Sequence, residues 1–183
     1  MEASCLVVLL RLCVQILCLP AYLLWYLGIW DPICKKVFPH VLAVLSSIYS
    51  KRMYDKKKEM FSNLKDFSSP TGALTLLEIG TGTGSNFQFY PAGCKIICND
   101  PNPNFQKFID KSLAENPHVQ VEHCLVAPAE DLHQVPAASV DVVVSTLVLC
   151  CVKSPEQVMK EVLRVLRLRG LGIPVRFSLS FSF

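Results

Sequence analysis

Three glycines stand at alternate positions in the run Glu78-Ile79-Gly80-Thr81-Gly82-Thr83-Gly84, directly after an apolar stretch at residues 74–77. The apolar stretch predicts a buried strand, and the residues beyond the glycines predict the start of a helix. A glycine at such a turn lets a ligand lie against the backbone, because it has no Cβ and adopts positive φ at little cost. The helix N-terminus adds unpaired N–H donors and a partial positive charge. The chain is therefore predicted to contain a strand–turn–helix unit that binds a ligand.

The spacing of the glycines distinguishes between two classes of ligand. A dinucleotide-binding turn has the pattern G-x-G-x-x-G and holds a pyrophosphate at the helix end. Here the third glycine comes one residue early, and Glu78 precedes the first by two. A carboxylate at the strand end repels a diphosphate but suits a ligand that carries an ammonium group. S-adenosylmethionine has an ammonium and a sulfonium, so we predict it as the cofactor and disfavour a nucleotide-dependent oxidoreductase.

Strand-like and helix-like segments alternate from residue 74 onward, which predicts an α/β fold with a parallel sheet. We expect strands at residues 74–79, 95–99, 119–126 and 140–149, and helices at residues 85–90, 104–116 and 155–167. The fourth predicted strand is a continuous apolar run, as expected for a strand covered on both faces. Such sheets bind ligands at the carboxyl ends of their strands, where the motif-bearing turns of this chain fall.

Acidic residues follow two of the predicted strands. Asp100 closes the second strand, and a carboxylate there accepts hydrogen bonds from a ribose diol; the alternative is a cap for the next helix. After the third strand, Ala129-Glu130-Asp131-Leu132 resembles a loop that cradles adenine, where an acid accepts from the exocyclic amine. The sequence does not decide between Glu130 and Asp131, and a surface pair of acids is the alternative.

Residues 3–30 are almost wholly apolar, with Arg11 and Gln15 as the main interruptions. About twenty apolar residues cross a bilayer as a helix. A cleaved signal peptide would need an early positive charge and a small-x-small cleavage site, which we do not find. Pro20 predicts a kink or a shallow hairpin, so a helix lying in one leaflet is the alternative to a spanning one. We expect retention at a membrane, with the following domain in the cytosol because basic residues come after the apolar segment.

Charge and cysteine usage exclude other classes of function. The basic cluster Lys51, Arg52, Lys56, Lys57 and Lys58 has no aromatics threaded through it, and the net charge is only +3. We interpret this cluster as a solvated or membrane-facing flank and expect no nucleic acid as a partner. The nine cysteines contain no C-x-x-C pair, which favours buried thiols in a reducing compartment. The four histidines are scattered, so we predict no metal site.

The glycine turn resembles the E-x-G-x-G-x-G motif of class I S-adenosylmethionine-dependent methyltransferases. The apolar leader, LEIGTGTGSNFQFYPAGCKIICNDPNPNF and VDVVVSTLVLCCVKSPEQV together resemble the microsomal alkyl-thiol methyltransferases, the methyltransferase-like-seven proteins. This resemblance implies a Rossmann-like domain that methylates small thiols, held on the endoplasmic reticulum membrane and lipid droplets and facing the cytosol. Thr81 and Ser145 stand where that family usually has Cys. Carried over by position, the cofactor-binding residues are Glu78, Gly80, Thr81, Gly82, Gly84 and Asp100, with Ala129 and Glu130 beside the adenine.

The resemblance stops at about Arg167, where the family pattern V-L-R-P-G-G reads V-L-R-L-R-G and is followed by LGIPVRFSLSFSF. Apolar and polar residues alternate in residues 175–183, which predicts a half-exposed edge strand. We expect a membrane anchor at residues 1–30, a helical connector at 31–70, a cofactor-binding domain at 71–170 and a divergent tail at 171–183. The sheet is then incomplete at its C-terminal end, and turnover is expected to be impaired.

No catalytic base is evident from the sequence. His123 and His133 are the titratable loop or strand residues considered for this role, while Cys150 and Cys151 are interpreted as core residues near the expected methyl group. Three functions remain in question: a membrane-anchored methyltransferase, a non-catalytic membrane or lipid-droplet protein that keeps a vestigial cofactor-binding half-domain, and a nucleotide-dependent oxidoreductase. The glycine spacing and Glu78 speak against the third.

Overall fold

The computed structural model describes residues 2–67, 73–167 and 175–178. The five helices of these residues are α1 (Glu2–Tyr26), α2 (Trp30–Arg52), α3 (Tyr54–Phe61), α4 (Gln106–Glu115) and α5 (Pro155–Val165). The strands are β1 (Thr75–Ile79), β2 (Lys95–Asn99), β3 (Gln120–Leu125), β4 (Val142–Thr146) and β5 (Val175–Ser178), and short 3-10 turns cover Leu64–Phe67, Phe87–Phe89 and Pro103–Phe105. The chain forms two compact units, Met1–His40 and Val41–Phe183, and the boundary between them falls inside α2.

Helix α1 ends at a glycine cap. Gly28 has a φ of +68°. Its N–H donates to the carbonyl of Trp25 at 3.0 Å, and the N–H of Ile29 donates to that of Leu24 at 3.0 Å. These two bonds define a Schellman motif, in which a left-handed glycine ends the helix. The break in the apolar segment therefore lies at Gly28 and not at Pro20, which α1 contains in its interior.

No single helix of the described residues is long and apolar enough to cross a membrane. The segments Cys13–Tyr26 and Trp30–Arg52 reach that length and composition only as a pair, and they are bent by 105° at the break between them.

The second unit is built on one sheet with the strand order β3-β2-β1-β4-β5 and only parallel pairings. Strand β1 is central, and Leu76 pairs with Ile96 on one side and Val142 on the other. Both faces of the sheet are buried. Leu76 packs in a cluster that includes residues of α3 and α4, while Leu77 packs in a cluster with residues of α5. The predicted α/β fold with a parallel, doubly covered sheet is confirmed.

Two predicted elements differ most from expectation, and both are much shorter. The helix predicted at residues 85–90 is only the 3-10 turn Phe87–Phe89. Tyr90 is already extended, with φ −78° and ψ 147°, because a residue before proline avoids the helical region. Strand β4 stops at Thr146 and not at residue 149, since Leu147 has a left-handed φ of 59° that turns the chain out of the sheet.

Strand β5 lies at the edge of the sheet beside β4. Its backbone pairs in parallel register, from Val143↔Val175 to Thr146↔Ser178. The alternation of apolar and polar side chains expected for residues 175–183 lies outside the described residues, because only the backbone of Val175–Ser178 is described there.

Candidate functional site

The glycine turn between β1 and the Phe87–Phe89 turn has the backbone that its sequence predicts. Gly80, Gly82 and Gly84 have φ values of 67°, 54° and 71°. The N–H groups of Gly80 and Thr81 both donate to the carbonyl of Asn99, at 2.8 and 3.1 Å, which fastens the turn to the end of β2. A Cβ on Gly80 would overlap Val148, and one on Gly84 would lie 2.8 Å from Phe87. Glycine is therefore required at positions 80 and 84 because of both the left-handed backbone and the lack of space for a Cβ.

Glu78 lies beneath this turn at the end of β1, with only 2% of its surface exposed. Its Oε1 accepts a hydrogen bond of 2.7 Å from Nδ2 of Asn86. Burial raises the pKa of Glu78 to about 7, against the hydrogen bond from Asn86 and the charge of Lys57. Tyr90 is also close enough to lower this pKa, although neither its hydroxyl nor Oε2 of Glu78 makes a hydrogen bond of good geometry. Oε2 therefore makes no hydrogen bond of good geometry among the described residues, and the Tyr90 hydroxyl is a nearby donor.

Asn86 and Lys57 are buried in the same hydrogen-bonded group as Glu78, and sequence reasoning identified neither of them as a site residue. Nζ of Lys57 donates to Oδ1 of Asn86 at 2.9 Å and to Oγ of Ser50 at 3.4 Å. Burial lowers the pKa of Lys57, while the charge of Glu78 raises it. One sequence signal could have indicated that Lys57 is buried: it precedes Phe61 by four residues, and residues at that spacing share a helix face. Both side chains are buried in the structure. The interpretation of Lys57 as part of a solvated or membrane-facing flank is wrong.

Asp100 lies on the other side of the glycine turn. Its Oδ2 accepts from the N–H of Gly82 at 3.1 Å, and its Oδ1 accepts from the N–H of Asn102 at 2.9 Å. Partial burial raises the pKa of Asp100, against these two hydrogen bonds. The neighbouring Asn99 is fully buried and donates from Nδ2 to the carbonyl of Ala127 at 2.9 Å. The structure thus brings Asp100 together with Gly82, as the sequence predicts for one ligand-binding edge.

The loop after β3 holds its acidic residues differently. Ala129 is buried in the core cluster beside α5. Oε1 of Glu130 accepts from the N–H groups of Lys153 and Ser154, at 2.7 and 3.3 Å. Asp131 accepts from the backbone of His133 and lies 2.8 Å from its Nδ1. One oxygen of Glu130 therefore ties this loop to the start of α5.

The residues considered for catalysis are not gathered into one cluster. His123 lies on the edge strand β3 with an exposed side chain, and His133 is exposed beside Asp131. Cys150 and Cys151 are exposed with their Sγ atoms 3.6 Å apart, so the expectation that they are core residues is wrong. They follow the turn at Leu147, because β4 ends earlier than predicted. Among the described residues no group of three or more His, Cys, Asp or Glu side chains could hold a metal ion.

Comparison with known proteins places this site in a family. A family model described as a methyltransferase domain matches residues 77–173. The thiol S-methyltransferase TMT1B of Mus musculus is 54% identical over 166 residues, which are 91% of this chain and 68% of that protein. The human thiol S-methyltransferase TMT1A is 57% identical over 145 residues, which are 79% of this chain and 59% of that protein.

The fold of this chain is also similar to that of a solved structure. The CurJ carbon methyltransferase superposes with a TM-score of 0.58 at 19% identity, over 76% of this chain and 40% of that one, which supports the fold alone. The matched family model includes the end of β1 with Glu78, the glycine turn and Asp100, and so covers most of the residues described above. This chain belongs to the thiol S-methyltransferase family of S-adenosylmethionine-dependent methyltransferases.

Proposed function

We propose that this chain transfers the methyl group of S-adenosylmethionine to a small alkyl thiol at a membrane surface. The cofactor follows from the family, and the choice of a thiol rests on the names of the relatives that share more than half of its aligned residues. The observation that carries the proposal is the buried carboxylate of Glu78, whose Oε2 makes no hydrogen bond of good geometry, beneath a turn of left-handed glycines.

The residues at the turn fit the amino-acid end of this cofactor. A buried carboxylate without a partner for one oxygen is costly, and an ammonium group would supply both the hydrogen bond and the charge that it lacks. Gly80, Gly82 and Gly84 present backbone where any other residue would place a Cβ. Thr81 stands between the first two glycines, and its Oγ1 donates to the carbonyl of Glu78 at 3.0 Å. These five residues form the proposed cradle.

The nucleoside end is assigned to the neighbouring strand ends. The two oxygens of Asp100 each accept one backbone hydrogen bond, and a carboxylate has capacity for about four, so acceptors remain for a ribose diol. Ala129 and Glu130 form the proposed adenine side. Because Oε1 of Glu130 accepts from Lys153 and Ser154, Oε2 is the oxygen proposed to accept from the adenine amine.

When bound, the cofactor supplies a methyl group that a thiolate takes by in-line displacement, the bonding electrons remaining on the sulfonium sulfur. The protein's contribution to such a step is to hold the two reactants in line and to exclude water. Two residues near the carboxyl end of β4 are proposed to position the reactants and to exclude water. They are Val148, which packs against Gly80, and the buried Ser145. The thiol proton passes to solvent, since no base is assigned to it.

The test is methylation of 2-mercaptoethanol by the full chain in detergent, followed by mass spectrometry of the methyl thioether. Ethylene glycol, which replaces the thiol with a hydroxyl, serves as the matched acceptor. We expect product from the thiol alone, at a rate below that of the relatives because the residues after Arg167 diverge. Binding of S-adenosylhomocysteine without any thioether product would instead favour a non-catalytic protein with a vestigial cofactor site.

The N-terminal unit is the proposed membrane attachment, at the endoplasmic reticulum and lipid droplets with the second unit in the cytosol. Large apolar side chains of α1 are exposed, such as Leu17 at 78% and Tyr26 at 82%. Exposed apolar area on this scale is typical of a membrane or partner surface. Carbonate extraction of cell membranes is the test: release of the protein into the supernatant would contradict the proposal.

A further inference from the structure

Lys57 is unlike the other residues of the basic cluster to which it belongs. Only 4% of its surface is exposed, whereas Lys56 and Lys58 are exposed. Its Nζ contacts Asn86 and Ser50 and lies 5.4 Å from the centroid of the Tyr49 ring. Burying an ammonium group is unfavourable unless other interactions compensate for it. A lysine that merely solubilised α3 would not be buried in this way.

The chemistry of the three side chains determines how Asn86 is oriented. An ammonium group only donates hydrogen bonds, an ionised carboxylate only accepts them, and an amide does both from opposite ends. Because Lys57 donates to Oδ1, Nδ2 of Asn86 points to Oε1 of Glu78 at 2.7 Å. Nδ2 also lies 3.3 Å from Oγ1 of Thr146. Lys57 and Glu78 are thus opposite charges joined through one buried amide.

We propose that Lys57 is a positioning residue for the cofactor: through Asn86 it holds Oε1 of Glu78 and leaves Oε2 for the ammonium group. The inference rests on the proposed contact between Glu78 and the cofactor. It makes α3, outside the matched methyltransferase domain, part of the cofactor site. The positive charge of Lys57 also favours the ionised form of Glu78, which is the form that attracts an ammonium group.

The first test compares two ligands on two variants of the full chain in detergent. S-adenosylhomocysteine has the amino-acid end, and 5′-methylthioadenosine lacks it. We expect Lys57→Met to weaken binding of S-adenosylhomocysteine about tenfold, as for loss of a hydrogen bond to a charged group. Binding of 5′-methylthioadenosine should stay within about twofold of wild type. Lys58→Met, which removes an exposed lysine from the same helix, should change neither affinity.

A double-mutant cycle tests whether Lys57 acts through Glu78. If it does, Lys57→Met should have little further effect on S-adenosylhomocysteine affinity when Glu78→Gln is already present. Multiplicative losses in the double variant would overturn the proposal, because they would mean that the two side chains act independently. Equal affinity of wild type and Glu78→Gln would instead contradict the proposed contact between Glu78 and the cofactor.

The pH dependence of affinity gives a readout that a purely structural lysine would not change. The titratable groups that interact electrostatically with the Glu78 carboxylate are Lys57, Tyr90, Cys94 and Cys98. Wild-type affinity for S-adenosylhomocysteine should fall as pH decreases below about 7, where Glu78 takes up a proton. In Lys57→Met the fall should begin at a higher pH, because the charge that favours the carboxylate is gone.

If Lys57→Met does not unfold cooperatively, Lys57→Gln replaces it, since glutamine keeps a donor for Asn86 but has no charge. We expect a smaller loss of affinity and the same displacement of the pH profile. Unchanged affinity and an unchanged profile in a folded Lys57 variant would overturn the proposal. Equal weakening of S-adenosylhomocysteine and 5′-methylthioadenosine would also overturn it, because it would indicate a general loss of structure.

Discussion

Gly80 and Gly93 share a left-handed backbone, with φ values of 67° and 75°, but differ in the space beside them. A Cβ on Gly93 would meet nothing within 4 Å, whereas one on Gly80 would overlap Val148. We expect Gly93→Ala to lower the free energy of unfolding by about 1–2 kcal/mol, the conformational cost alone. Gly80→Ala should lose a further 1–3 kcal/mol or so through crowding, and should also lose cofactor affinity. Urea titration of both variants measures the difference, and equal losses would contradict it.

The raised pKa of Glu78 makes a signed prediction about stability. Its pKa is 4.5 in an unfolded chain and about 7 in the folded protein. The folded state therefore binds the proton more tightly, and the contribution of Glu78 to stability falls as pH rises from 4.5 to about 7. The fall is about 3 kcal/mol. We expect Glu78→Gln to remove this slope in urea titrations, while the exposed Glu59→Gln keeps it. An unchanged slope in Glu78→Gln would contradict the assignment.

Spacing in the sequence identified Glu78, the glycines and Asp100, but it identified neither Asn86 nor Lys57. The first group depends on local backbone requirements: left-handed turns and a carboxylate at a strand end can be recognised within a few residues. Lys57 is one of five neighbouring basic residues, and only packing of α3 against the sheet distinguishes it from Lys56 and Lys58. Its burial is a tertiary effect that the basic cluster itself does not predict.

At the scale of elements, α5 has the clearest start signal in the chain. Ser154 precedes Pro155 and its Oγ accepts from the N–H of Gln157 at 3.3 Å, which satisfies one unpaired donor of the first turn. We expect Ser154→Ala to lower the free energy of unfolding by about 1 kcal/mol. Ser154→Asp keeps an acceptor and adds a favourable charge at the N-terminus, so it should preserve stability. Chemical denaturation measures both, and a neutral alanine variant would contradict the assignment of Ser154 as the helix cap.

The elements were predictable where one signal dominated them. Strands β1 and β2 match residues 74–79 and 95–99 closely, because each is a short, mostly apolar run that a turn follows. The predictions at residues 85–90 and 140–149 were too long for two different reasons. Pro91 keeps Tyr90 extended, and the left-handed Leu147 ends β4 inside a run that is still apolar. Apolar periodicity alone does not report such backbone changes.

At the scale of the whole molecule, the exposed apolar side chains of the first unit predict how the protein partitions. We expect Leu17→Lys to reduce liposome binding in flotation assays, because burying a leucine contributes about 1.5–3 kcal/mol and a lysine at that depth opposes it. Leu163 of α5 is 45% exposed in the second unit, and Leu163→Lys is the matched control. Equal loss in both variants, or in neither, would argue against attachment through α1.

The parallel pairing of β1 with both β2 and β4 has a consequence for biosynthesis. Leu76 cannot acquire its partner Val142 until that residue has left the ribosome, since parallel strands pair only after a long crossover. The buried site around Glu78 is therefore completed late, when most of the sheet has already been translated. Contacts of such long sequence separation fold slowly and leave apolar strands exposed meanwhile. We therefore expect apolar strands of the nascent chain to stay exposed until β4 has been synthesised and has paired with β1.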